Sequence, residues 1–187
     1  MTTSKKMFLM LVLCSIILTS FSKNRELNQK QNFAFEQPNQ LYTYREYVIS
    51  YGYYAVEIMK EFKIPASVIL AQAMLETSFG KSKLSQKSNN HFGIKCDNTW
   101  HGSSVQHSDD EQQECFRAYP TVKASFQDYG KFISSRPWYF HLFKLETNNY
   151  RKWAVGLHEA GYATDPQYSN KIIDLIERYQ LYQLDEM

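Results

Sequence analysis

One carboxyl that can handle a proton, with an amide one turn before it, is set into an otherwise apolar stretch, Ile64 to Gly80, which reads IPASVILAQAMLETSFG. Val68, Ile69, Leu70, Ala71, Ala73, Met74 and Leu75 leave almost no polar face, so the stretch predicts a buried helix. Pro65 suits its first turn, and Gly80 suits a left-handed cap at its end. Gln72 and Glu76, one turn apart, project from the same side. A carboxylate at the end of a buried helix is costly to ionise, so its pKa is expected to rise. An acid still protonated near neutral pH is what general-acid catalysis needs. A glutamate at a helix end can equally point to water, and this stretch alone does not separate the two.

The elements that must hold this helix lie on both sides of it. Upstream, Thr43 and Glu46 form a capping box ahead of a helical stripe: Tyr44, Tyr47, Val48, Tyr51, Tyr54, Ala55, Ile58, Met59 and Phe62. The stripe reads as a core-facing surface that stops before Pro65. Downstream, KSKLSQKSNN is polar and reads as a loop, and HFGIKC is short and apolar. Residues 92–119 lack a helical period and predict a small β-hairpin or three-stranded element, with the acidic run Asp109, Asp110 and Glu111 at its turn. Such a run can be a solvated turn or can reach over a groove. The calcium-loop spacing is missing. Three more helices follow, around Val122–Ile133, Tyr150–Leu157 and Ile172–Tyr179, the second ended by Gly161 and the third begun by Asp165-Pro166. Between the last two, GYATDP holds Tyr162 in a loop braced at both ends, where a hydroxyl can be aimed.

Composition narrows the setting. Lys5 and Lys6 precede an apolar run, Met7 to Leu18, followed by Thr19, Ser20 and Ser22, which is the plan of a signal peptide. The run is shorter than the roughly 20 residues of a membrane span, so no stable span is expected once residues 1–22 are removed; an uncleaved anchor is the alternative. Residues 23–40 read as a polar arm and 41–183 as one domain. Removing the segment leaves 19 basic and 19 acidic side chains, a balance with no footprint for nucleic acid or anionic lipid. Of the three cysteines, Cys14 goes with the segment, and Cys96 and Cys115 remain as an even pair in an oxidising compartment, which predicts a disulfide. His91, His101 and His107 are too scattered to read as a metal site, and no cofactor is implied. Fourteen tyrosines and twelve phenylalanines are mostly core, but an aromatic-rich groove also suits sugar rings.

Four ordered motifs then carry a resemblance: LAQAMLETSFGKS, NNHFGIKC, ECFRAYPTVKASFQDYGKFI and AGYATDPQYSNKI. Together, from about Tyr44 to Leu181, they resemble the glucosaminidase domain of glycoside hydrolase family 73, found in bacterial autolysins and flagellar rod-assembly proteins. The resemblance implies an α+β, mostly helical, lysozyme-like fold with a small β-hairpin lobe. It implies cleavage of the β-1,4 bond after N-acetylglucosamine in peptidoglycan; the signal-peptide plan adds export to a periplasmic or extracellular location, and a monomer is expected. It implies Glu76 as general acid and Tyr162 at the catalytic centre. Gln72, Phe92, Trp100, Asp109 and Tyr168 are the expected substrate contacts. The family places a second carboxylate in the hairpin; Asp110 is the first choice here, then Asp109, then Glu111. Two mechanisms stay open: inversion with the hairpin acid as base across a wide gap, or attack by the substrate's own 2-acetamido group.

Two other readings fit parts of the pattern. A lytic transglycosylase also uses a lone glutamate on a buried helix, and anhydro-muramic product ends would reveal it. A wall-binding module without activity would keep the groove but release no reducing sugar.

Overall fold

The computed structural model describes residues 38–108 and 113–187. In chain order these form α1 (Pro38–Phe62), α2 (Ala66–Thr77), α3 (Lys83–Ser88), β1 (Ser104–Ser108), β2 (Gln113–Arg117), α4 (Val122–Ser135), a 3-10 segment Pro137–Lys144, α5 (Tyr150–Glu159), α6 (Tyr168–Arg178) and a C-terminal 3-10 segment Leu181–Glu186. The expected signal segment and residues 23–37 lie outside the described residues, as do 109–112. Thr43–Met187 is one compact unit.

The apolar stretch is the central helix. In α2 every residue from Ala66 to Met74 is buried, and the helix packs against α5, α6 and the C-terminal 3-10 segment. Its first turn has no cap from its own neighbourhood. Instead the backbone N–H and hydroxyl of Ser67 donate to the carboxylate of Asp185, at 2.8 and 2.6 Å. A negative group at a helix start satisfies N–H groups that would otherwise be orphaned and complements the dipole. The left-handed stop comes earlier than Gly80: Ser78 (φ 49°), Phe79 (φ 60°) and Gly80 (φ 80°) are all left-handed. Thr77 drives this, its hydroxyl accepting from the Gly80 N–H at 2.7 Å while the Phe79 N–H reaches back to the Met74 carbonyl at 2.9 Å.

The upstream stripe is on the core side as expected, with Tyr47, Ala55, Ile58 and Met59 buried while Ile49 and Tyr53 face out. The capping box is not a cap. α1 begins at Pro38, so Thr43 and Glu46 lie inside it, because Pro at a first helical position starts a helix as readily as a serine or threonine cap. Residues 81–90 are not all loop. Ser82 accepts from the Ser85 N–H at 3.2 Å and starts α3, and Asn89 ends it in the left-handed region. A six-residue polar helix carries no hydrophobic period by which to be read.

The β-lobe is a two-stranded antiparallel hairpin, Ser104 opposite Arg117 and Ser108 opposite Gln113, with Lys95 bridged to Phe116 beside it. Cys96 and Cys115 are disulfide-bonded, next to a backbone hydrogen bond from Cys96 N to Cys115 O at 2.8 Å. Arg117 fastens this lobe to the helices. Its guanidinium contacts Asp97 at 2.7 Å and Asp128 of α4 at 2.9 Å and lies over the Trp100 ring. The downstream helices match expectation, with Phe126, Tyr129, Ile133, Trp153, Leu157, Ile172 and Ile176 fully buried. Only the last starts late, at Tyr168. Asp165 caps the turn before it, accepting from the Gln167 N–H at 2.9 Å, because residues 166 and 167 are turn rather than helix.

Candidate active site

The last turn of α2 opens into a cleft of about 810 Å³. Its walls come from the end of α2, the 92–97 segment, the β-hairpin, the end of α4 with the following 3-10 segment, and the 161–165 loop with the start of α6. Glu76 lies on this wall and is exposed, not buried as its helix predicted. The helix is buried up to Met74 and again at Thr77, and Glu76 falls on the side that opens to the cleft. Tyr168 Oη stands 3.4 Å from Glu76 Oε1.

The NNHFGIKC motif shapes the opposite side. Asn90, 1% exposed, uses its amide fully: Nδ2 donates to the carbonyls of Ile94 and Arg117, both at 2.9 Å. Its Oδ1 accepts from the N–H groups of Phe92 and Ile94. The turn so held puts Gly93 at φ +61° and beside Glu76, whose Oε2 is 3.6 Å from where a Cβ would be. Glycine suits the left-handed backbone, and a Cβ there would meet Oε2 only in ordinary contact. The same turn presents the Phe92 carbonyl to the Tyr162 hydroxyl at 3.1 Å. Tyr162 is thus braced in the cleft wall, its ring stacked near Tyr168.

Electrostatically the wall is mixed, with Glu76, Asp97 and Asp165 against Lys95, Arg136 and Lys171. Asp97 is held well below the ordinary carboxylate range, at about 2, first by the Thr99 hydroxyl and then by the Thr99 N–H, Arg117 and Arg136. Tyr129, Tyr162 and Tyr168 are raised well above 10, chiefly by burial and further by the negative charge of Glu76. All three therefore stay protonated donors. Behind the turn, His91 is buried with its Nδ1 2.6 Å from the Tyr47 hydroxyl, and burial lowers its pKa to about 4.

The expected site residues divide. Glu76, Tyr162 and Tyr168 meet in the cleft, and Phe92 is in its wall. The Phe92 ring, however, is 2% exposed and stacked on Tyr129, with ring centroids 4.2 Å apart, so its backbone rather than its ring is what the cleft uses. Gln72 is entirely buried and cannot be a substrate contact; its place is the core, between Tyr129 and Tyr168. Trp100 does not line the cleft. It covers Arg117 and donates to the Ser103 carbonyl at 3.0 Å, because the arginine is a better-fitting partner for the ring than solvent is. Asp109, Asp110 and Glu111 lie outside the described residues. Missing from the expectation were Arg136 and Trp138, which line the cleft. Arg136 lies over Phe132, 3.6 Å from the ring centroid, and binds Asp97 at 2.7 Å. The run FISSRPW sets an arginine between aromatics, a pattern that suits a cleft wall facing sugars but names no partner by itself.

A glutamate facing a cleft, with protonated tyrosines around it and a sugar-sized volume in front, can deliver a proton to a glycosidic oxygen. Residues 52–181 match the glucosaminidase family model, described as mannosyl-glycoprotein endo-beta-N-acetylglucosaminidase. The chain belongs to the glucosaminidase family. Within it, exo-glucosaminidase LytG of Bacillus subtilis is 30% identical over 181 residues, 92% of this chain and 62% of that protein. Peptidoglycan hydrolase FlgJ of Vibrio cholerae is 34% identical over 143 residues, 69% of this chain and 42% of that protein. The chain thus spans less than two thirds of either relative. Among solved structures, the peptidoglycan hydrolase of Sphingomonas sp. A1 superposes with a TM-score of 0.65 at 33% identity, over 74% of this chain and 91% of that one. The catalytic domain of the Listeria monocytogenes autolysin Auto gives 0.67 at 29% identity, over 86% and 97%. The family fold is the lysozyme-like one, mostly helical with a small antiparallel lobe, as its motifs implied.

Proposed function

We propose that the protein is an exported peptidoglycan hydrolase, an endo-β-N-acetylglucosaminidase that cleaves the β-1,4 bond after N-acetylglucosamine. One observation carries the reading: Glu76, in a glucosaminidase-family chain, is the carboxyl group at the end of the buried helix that faces the cleft. Its role is to protonate the leaving oxygen. Its carboxyl is exposed on the cleft side, so the apolar surroundings that keep it protonated come with the substrate, whose rings displace water there. Tyr162, anchored on the Phe92 carbonyl, steadies the reacting sugar from the facing wall.

The second group is a carboxylate from the turn that joins β1 to β2, with Asp110 preferred over Asp109 and Glu111, or the substrate's own acetamido oxygen. His107 of β1 and Phe116 of β2 line the cleft, and the turn bearing these acids connects those two strands. The substrate is peptidoglycan glycan. Its repeating neutral sugar backbone with charged peptide stems suits a wall that carries charges of both signs. Export follows from the basic, apolar and small-residue order of residues 1–22; among the described residues no helix is long and apolar enough to cross a membrane.

The test is mass spectrometry of digested peptidoglycan with the native protein and with Glu76→Gln. The native digest is expected to carry N-acetylglucosamine at new reducing ends. The variant is expected to fold normally and to lose activity by about a thousandfold, within the usual reach of a general acid. New muramic or anhydro-muramic ends would replace the glucosaminidase reading with a muramidase or transglycosylase one. Lysis by the variant near the native rate would remove Glu76 from its role.

A further inference from the structure

The hydroxyl that meets Glu76 has its proton directed from inside the core. Gln72 is 0% exposed and lies between two tyrosines. Tyr129 donates its hydroxyl proton to Gln72 Oε1, and Gln72 Nε2 donates to Tyr168 Oη at 2.8 Å. The opposite orientation of the amide would turn its N–H toward Tyr129 and leave that buried hydroxyl proton with no acceptor there, which is costly. With its oxygen already accepting from Gln72, Tyr168 has its own proton left for Glu76 Oε1, 3.4 Å away. Glu76 Oε2 lies next to Gly93, 3.6 Å from where a Cβ would be.

We propose that Tyr168 is a positioning residue for Glu76, and that Gln72 with Tyr129 sets the direction of its proton. Oε1 is thereby held as an acceptor from Tyr168. This rests on the reading of Glu76 as general acid and goes beyond it, since neither Gln72 nor Tyr129 needs to touch a ligand to act. Burial keeps Tyr129 and Tyr168 protonated throughout any working pH, so the direction of the chain does not reverse. The arrangement runs through three elements, α2, α4 and α6, and so fixes the carboxyl relative to the whole body of the domain.

The sign of the test follows from the donor. A hydroxyl donating to a carboxylate favours the ionised form. Removing it with Tyr168→Phe raises the pKa of Glu76, so the alkaline limb of the pH–activity profile moves to higher pH. On solubilised glycan strands the expected result is kcat down about tenfold at nearly unchanged KM, with the limb moved up by about half a pH unit. Gln72→Met removes the group that orients Tyr168 without touching the cleft. It is expected to move the limb the same way by a smaller amount, and to add nothing in the Tyr168→Phe background.

Among the described residues, the other ionisable groups around Glu76 are Tyr129 of α4 and Tyr162 of the loop before α6, with Lys95, Asp97, His107, Arg136, Tyr139, Asp165 and Lys171 on the walls. All are unchanged in both variants. A raised KM with the limb unmoved in Tyr168→Phe would make Tyr168 a substrate contact only and overturn the proposal. Full additivity of the two limb shifts would overturn the part given to Gln72. Should Gln72→Met fail to fold by circular dichroism, the Tyr168→Phe limb still decides. Glu76→Gln separates the two levels: an active variant sinks the general-acid reading itself, whereas an inactive one beside an unmoved limb sinks only the positioning role.

Discussion

His91 is 3% exposed and packed among Tyr47, Tyr51 and Phe126, and acid is expected to destabilise the fold through it. Burial lowers its pKa from 6.5 to about 4. The unfolded chain therefore takes up the proton at higher pH than the folded protein does, and the neutral state is the one the fold prefers. The stabilising difference is complete above pH 6.5, shrinks as pH falls, and is gone below about 4. At about 1.4 kcal/mol per pH unit, the span is worth about 3 kcal/mol, a large fraction of a typical domain's stability. The assay is urea unfolding from pH 7 to pH 4 on the native protein and His91→Gln. Glutamine can accept from the Tyr47 hydroxyl but does not titrate. The variant starts less stable, having lost ring contacts, but its stability should change less with pH by about 3 kcal/mol across that window. Asp97 does not confuse the reading. Its pKa is lowered from 3.8 to about 2, so its contribution is present above 3.8 and is lost only below it. Parallel pH dependence of the two proteins between 6.5 and 4 would refute the reasoning.

Other expectations follow from single contacts. Arg117→Met should cost about 3 kcal/mol in urea unfolding, because Asp97 and Asp128 lose a nearly buried partner; a loss under 1 kcal/mol would show the pair to be surface-like. Gly130→Ala should cost about 1–3 kcal/mol, since a Cβ there would stand 2.5 Å from Phe62 Cδ2 and 3.0 Å from Ile58 Cγ2; thermal unfolding reads it. Reducing the Cys96–Cys115 bond, which closes a 19-residue separation, should cost about 3 kcal/mol at most and lower wall lysis more than helix content, because Cys96 is in the cleft wall. Equal loss of both signals on reduction would contradict it.

What could be read beforehand was what rests on local pattern. The all-apolar run of α2, the α1 stripe and the glycine after α5 are each set by a few neighbours, and they lie where expected. The exposure of Glu76 was not readable. Whether the end of a buried helix is covered depends on how α6 and the 92–97 segment pack across it, and no spacing along the chain records that. Gln72 was misplaced for the same reason: its position one turn from Glu76 is correct, but the tyrosines that enclose it come from 57 and 96 residues away. Trp100 shows the converse error. An aromatic next to a β-lobe suits a sugar, yet here the ring serves a guanidinium. α3 was hidden because its six residues are held by serine and asparagine caps rather than by a buried face.

The openness of residue 76 to bulk water has a consequence for turnover. An acid that has given up its proton can be recharged directly from solvent as soon as the product leaves. The same openness means that a ligand too short to roof the carboxyl leaves it in contact with water. Long strands should then be cut faster per binding event than short oligosaccharides held equally well, so the catalyst is armed by the length of what it grips.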